Sequence, residues 1–344
     1  MGVPPMKHGQ DARAHTCKQE PPTIMLTLFI KMLPLVLMTL AGYMLSKHRV
    51  IDAAFNRQLS LVLVNVFYPC LIVSSIVRSF TWDSLLQNWM IPAGAAFIFV
   101  TGWLIGRVTL PLLRHHTEGT RRCYHFICMA NNYSFLPILI AASLWGEMAV
   151  ALVIFSSLGA ELCVWTLGVK ALTGQKLDRR FLRNLVSVPM LALLASIIIL
   201  VLRSQLTACV LLPQDGTICH SLFETILDTC QMMGSATIPT SALICGARIA
   251  MLHPGRILSP LMAGTCLLRL AVIPALCIAG LLVVPMSSEV RRVLILIAVQ
   301  PAAMASVTMA EAFDCDAEFS AAAVLATHVL CLVTIPLWLT VALG

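Results

Sequence analysis

The chain has 344 residues, of which 59% are hydrophobic and only 11% charged, and its mean hydropathy is +0.89. A water-soluble domain averages roughly 25% charged residues, so this composition excludes a soluble enzyme and makes lipid the solvent. The formal net charge of +7 does not point to nucleic acid, because Lys and Arg stand in short clusters between apolar runs, the pattern that orients membrane helices.

Residues 1–22 are polar, carry four prolines and read as an N-terminal tail. The run that follows, 24–46, is too long for a signal-peptide core and has no A-x-A cleavage site, so it reads as a spanning helix. A span needs about 20 apolar residues. On that measure helices are expected near 26–46, 57–78, 89–113, 122–145 and 148–172, then near 184–204, 220–250, 257–285, 290–313 and 317–343. Glu224 and Asp228 put the first turns of the seventh at an interface. Lys47, Arg49 and Arg57 follow the first helix, Arg114, Arg121 and Arg122 the third (with Arg107 nearby), Lys170, Lys176, Arg179, Arg180 and Arg183 the fifth, and Arg248 and Arg256 the seventh. These are expected to be cytoplasmic, which leaves both termini outside the cytoplasmic membrane. Arg291, Arg292 and the acidic loop Asp314–Glu318 run against the rule.

An inverted repeat accounts for that conflict. A shift of 170 carries Arg121-Arg122 to Arg291-Arg292, Pro69 to Pro239, Leu162 to Leu332 and Leu167 to Leu337. With five helices per copy the second copy enters from the opposite side, the signature of an inverted-topology transporter. The expected architecture is therefore all-α, about ten helices in two repeats, 23–175 and 176–344.

The fourth helix holds Asn131, Asn132, Tyr133, Ser134 and Pro137, and the ninth holds Gln300 and Pro301 at the matching depth. Amides are expensive in hydrocarbon unless partnered, and proline frees the carbonyl four residues earlier. Both helices are thus expected to break near the midplane and to cross, each resuming as a half-helix. The N-termini of those half-helices, worth roughly half a positive charge each, would face one another. That field suits a carboxylate, and Asn131, Asn132, Ser134 and Gln300 would complete its shell beside Pro137 and Pro301. Tyr68, Pro69 and Pro239 are candidate gates, with packing kinks as the alternative. Glu161, Arg269 and His328 are isolated ionisable residues within spans, where each needs a partner. Glu161 and Arg269 lie at similar depth and are expected to pair; Glu161 and His328 are also candidates for carrying a coupled proton.

Asp314, Asp316 and Glu318 read as a charged turn rather than a metal site. Seven of the thirteen cysteines, Cys70 to Cys331, lie in apolar runs as small hydrophobes, and Cys209 with Cys219 is a candidate disulfide across a polar hairpin. No P-loop, G-x-S-x-G or H-E-x-x-H occurs, and no metal or cofactor is expected.

These motifs resemble those of the auxin efflux carrier family. Asn132-Tyr-Ser-Phe-Leu-Pro137 is similar to its helix-four motif, and Gln300-Pro301-Ala-Ala with Ser306 and Ala310-Glu-Ala-Phe to its helix nine. Leu268-Arg269 through Pro274 is similar to its helix eight, and Ala323 through His328 to Leu339 to its last helix. The resemblance runs from about residue 26 to the end, and the short loops are similar to those of the prokaryotic branch. It implies ten helices in two inverted five-helix repeats, a substrate site where helices four and nine cross, transport of organic anions and a homodimer. Ser134 stands where glycine is common and Leu139 where proline is often found, so the substrate does not carry over. The reading is a secondary transporter, not an enzyme, that moves a small organic anion through the bilayer, with proton or sodium coupling both open. The alternatives are a sodium-coupled symporter on a bile-acid-carrier-like fold, a membrane-embedded lipid enzyme and a non-transporting receptor.

Overall fold

The computed structural model describes residues 21–174, 187–208, 218–251 and 259–343. The expectations for residues 1–20, for Lys176 to Arg183, for Arg256 and for a Cys209–Cys219 disulfide fall outside the described residues. In chain order the helices are α1 (Pro21–Lys47), α2 (Ala53–Ser79), α3 (Trp82–Gln87), α4 (Met90–Thr109), α5 (Glu118–Met129), α6 (Phe135–Trp145) and α7 (Glu147–Thr173). They continue as α8 (Val188–Ala208), α9 (Ile218–Ser235), α10 (Thr237–Met251), α11 (Pro260–Val283), α12 (Ser288–Ala298), α13 (Ser306–Ala312) and α14 (Ala317–Leu343). Among the described residues, α2, the run Trp82–Leu113, α7, α11 and α14 are long and apolar enough to cross a membrane. The protein is an all-α membrane protein.

Two boundaries differ from expectation. Helix α1 begins at Pro21, inside the expected tail, because proline is well tolerated in a first turn where its missing N–H has no partner to lose. The run expected as one helix over 220–250 divides at Ala236, just before the Thr237-Ile238-Pro239 turn that opens α10. In α9, Asp228 and Glu224 face Arg78 at the end of α2, at 2.6 and 3.9 Å. Those pairs are part-exposed and add little stability.

Proline shapes the long helices without always cutting them. Helix α2 widens to a π turn over Leu63–Phe67 just before Pro69, and α11 does the same over Leu268–Val272 just before Pro274. A wider turn relieves the clash between the ring and the preceding carbonyl, so the helix continues. A third π turn, Val164–Gly168 in α7, has no proline beside it.

Helices α1 and α10 pack backbone to backbone. A Cβ at Gly42 would strike the backbone of Leu243, and one at Gly246 the backbone of Thr39. Small residues permit such approach where lipid offers no hydrophobic drive for association. Helix α2 lies against α8 and α9. At the centre run α12, whose residues Val293 to Ala298 are all buried, and α7.

Candidate functional site

Helices α5 and α12 start alike. Thr117 caps α5 by accepting from Thr120 N at 3.2 Å, and Ser287 caps α12 by accepting from Val290 N at 3.3 Å. Each has an acid in its first turn, Glu118 and Glu289, where negative charge favours a helix N-terminus. Both then stop inside the molecule. The chain is non-helical over 130–134 and over 299–305, and resumes as α6 and α13. The two interruptions cross and form an antiparallel bridge between Asn131 and Ala302. Asn132 N donates to Pro301 O and Ala303 N to Ala130 O, both at 2.9 Å. The caps are 170 residues apart, and the bridged residues Asn131 and Ala302 are 171 apart.

A broken helix leaves its last carbonyls orphaned, and in a membrane protein water does not rescue them. The orphans at the end of α12 are taken in order. Leu296 O accepts from Gln300 Nε2 at 2.9 Å, Ile297 O from Asn131 Nδ2 at 2.5 Å and Ala298 O from Arg269 Nη2 at 3.2 Å. Ile297 is the residue whose carbonyl Pro301 frees, since it lies four positions earlier. Arg269 also donates through Nε to Gln300 O at 3.2 Å and through Nη1 to Cys128 O, at the end of α5, at 3.0 Å. One buried guanidinium thus closes the negative ends of both half-helices.

This corrects the pairing expected between Arg269 and Glu161. The Glu161 carboxylate accepts from Tyr133 Oη at 2.7 Å and from Trp165 Nε1 at 2.9 Å. Depth along two helices does not say which side chains face each other, and the carbonyls that attract Arg269 exist only because two distant helices break side by side.

The N-terminal ends of the second half-helices are dressed differently. Ser134 stands at the N-cap of α6 and Ala305 at that of α13, and neither makes a side-chain cap. Beside them, Asn132 Nδ2 lies 3.3 Å from His328 Nε2. His328 Nδ1 faces Val324 O at 2.8 Å. A carbonyl only accepts, so the proton sits on Nδ1, Nε2 is the acceptor, and Asn132 donates to it. The Tyr68 ring packs on Phe135, the first residue of α6, at 5.3 Å. Its hydroxyl is shut off from solvent without a hydrogen bond, with Ser134, Ser157 and Glu161 as polar neighbours. Buried oxygens on Asn131, Gln300 and Ser306 are also without partners.

The structure therefore gathers Asn131, Asn132, Ser134, Gln300, Pro301, Arg269 and His328 around the crossing, with Tyr68 against its α6 side and Pro137 buried in the first turn of α6. Glu161 joins through Tyr133. Pro69 is half-buried in α2, and Pro239 is exposed in the first turn of α10. Sequence reasoning missed Trp165, Thr327 and Trp338. Thr327 Oγ1 accepts from Ala302 N at 3.3 Å. Trp338 Nε1 donates to Leu270 O at 2.7 Å, the carbonyl that Pro274 frees. The available signal was a proline in one helix and an indole N–H, which must find an acceptor, in another. In the Asp314–Glu318 turn, Asp316 accepts from Thr120 Oγ1 at 2.6 Å and from Phe319 N at 2.9 Å, so it caps α14 and ties that turn to the start of α5.

A profile of the membrane transport protein family matches residues 27–339. Among curated proteins, the chain is similar to Protein PIN-LIKES 2 of Arabidopsis thaliana, 28% identical over 115 residues, which is 33% of this chain and 25% of that protein. It is also similar to Protein PIN-LIKES 1 of the same plant, 25% identical over 130 residues, 36% of this chain and 26% of that protein. The matched stretch spans about a quarter of the length of these curated relatives.

Proposed function

The chain belongs to the membrane transport protein family, that of the auxin efflux carriers, and on that premise we propose that it is a secondary carrier for a small organic anion, a carboxylate above all. The crossing of 130–134 with 299–305 carries the proposal. Arg269 neutralises the negative ends of α5 and α12, which leaves the uncapped start of α6, with its free N–H groups, as a fixed field for an anion. Asn132, Ser134 and Tyr68 supply donors beside that start. Asn131 and Gln300 hold the crossing in shape through the α12 carbonyls.

In this reading ten spans form two inverted five-helix repeats, with α5–α6 as the fourth and α12–α13 as the ninth. Two features support it. The caps of α5 and α12 match, and the packing of α1 against α10 has its counterpart in α8 against α2. The repeats exchange access to the crossing between the two faces of the cytoplasmic membrane, and both termini lie outside. When His328 takes up a proton, its Nε2 becomes a donor and the Asn132 amide must turn its oxygen toward it, so a proton at His328 reorients a substrate ligand.

The test is flux into liposomes across a panel of mono- and dicarboxylates, with Asn132→Ala alongside. Carboxylate flux that falls at least tenfold in a folded Asn132→Ala protein is the expected result. Normal flux in that variant would remove Asn132 from the site. No flux of any carboxylate by the folded parent protein would overturn the anion reading.

A further inference from the structure

A pocket of about 310 Å³ opens between the end of α4, the first turns of α5 and the end of α7. Arg107, Arg121, Arg122 and Lys170 line it, against a single acid, Glu118. Glu118 is divided between Arg121 at 3.0 Å and Arg122 at 3.1 Å. Among the described residues Arg107 and Lys170 meet no carboxylate, and both are exposed. The pocket therefore carries a net positive charge of about three, more than surface ion pairing consumes.

Two buried polar atoms here have no partner, Trp103 Nε1 and Arg121 Nε. Both are N–H groups that only donate, so what they lack is an acceptor. An oxyanion with several acceptor oxygens fits both the charge and the orphaned donors, and arginine favours phosphate in such a role. The wall beside the pocket says which source of phosphate. Leu104, Val108 and Leu112 follow one another at four-residue spacing along the same stretch as Trp103 and Arg107, and are 50%, 73% and 78% exposed. That stripe offers acyl chains a surface directly beside the basic cluster.

We propose that this pocket binds the phosphate headgroup of an anionic phospholipid, with the acyl chains lying along Leu104, Val108 and Leu112. The site is separate from the crossing and does not depend on what the carrier moves. It lies at the end where the basic loops gather, the side on which anionic lipid attracts juxtamembrane Lys and Arg.

Native mass spectrometry of the full chain, delipidated in detergent and titrated with phosphatidylglycerol or phosphatidylcholine, tests this. The comparison is an Arg107→Gln/Lys170→Gln protein and a control, Lys47→Gln/Arg57→Gln, that loses the same charge elsewhere. The expected result is tight retention of phosphatidylglycerol over phosphatidylcholine, weakened on the order of tenfold or more by the pocket pair and little by the control. Equal retention of the two lipids, or equal loss in both double variants, would overturn the site. Displacement of phosphatidylglycerol by millimolar inorganic phosphate would overturn the lipid assignment in favour of a soluble phosphate.

Discussion

Pro274 and Pro301 each free a carbonyl, and in both places a side chain from another helix takes it, yet the outcomes differ. Pro274 frees Leu270 O, Trp338 takes it, and α11 continues through a π turn. Pro301 frees Ile297 O, Asn131 takes it, and the helix stops. A proline alone therefore does not decide between a kink and a break. At α11 one carbonyl needs a partner. At the crossing, Leu296, Ala298 and Gln300 need one and Ile297 keeps only a 3.3 Å bond from Gln300 N, and Gln300, Asn131 and Arg269 supply the donors, while the chain beyond pairs with the second broken segment. A helix breaks in a membrane protein where enough donors are gathered to close its end.

The sharpest way to break this comparison is to remove the shared donor. Arg269→Met leaves the carbonyls of Cys128, Ala298 and Gln300 unpartnered together, at roughly 1–3 kcal/mol each. The sum, roughly 3–9 kcal/mol, is comparable to the whole stability of many folded chains, so the expected outcome is little or no monodisperse protein on size exclusion. Arg269→Lys keeps the charge but not the planar fork, and should give folded protein with a lower melting temperature and depressed flux. An Arg269→Met protein as stable as the parent would mean that the broken ends do not rely on this side chain.

Asn131→Ala comes next. It removes one of two donors to Ile297 O, which still receives Gln300 N at 3.3 Å, so the cost is about 0.5–1.5 kcal/mol and the protein should fold with a modestly lower melting temperature. Asn132→Ala, whose partner is His328, should change flux far more than melting temperature. If the two neighbours prove alike in both measurements, the division between a residue that holds the crossing and one that serves the substrate is wrong.

How far the site was legible in the chain follows from the range of each interaction. Both breaks could be read from Asn131, Asn132 and Pro137, and from Gln300 and Pro301, because a proline's missing N–H and an amide's need for partners are local facts. The membrane class and helical architecture were legible for the same kind of reason, since apolar run length is local. The partner of Arg269 was not, because its carbonyl acceptors come from residues 128, 298 and 300, and their meeting is a tertiary fact. The orphaned Trp103 and Arg121 donors were invisible for the same reason: which N–H lacks an acceptor is known only once packing has closed around it.

The smallest expected effect gives the cleanest test of the mechanism. Trp338→Phe removes one hydrogen bond, to Leu270 O, and interhelical bonds of this kind in membranes average roughly 0.6 kcal/mol. On its own that lowers the melting temperature slightly and leaves flux near normal. Pro274→Ala restores an N–H four residues after Leu270, so α11 regains its own donor for that carbonyl. In the Pro274→Ala background the indole is then redundant, and Trp338→Phe should cost less than it does in the parent. The double-mutant cycle reads this difference directly as a coupling between the two sites. Additive effects would show that Trp338 stabilises by packing rather than by satisfying the freed carbonyl. The parallel drawn with Asn131 and Pro301 would then lose its α11 half.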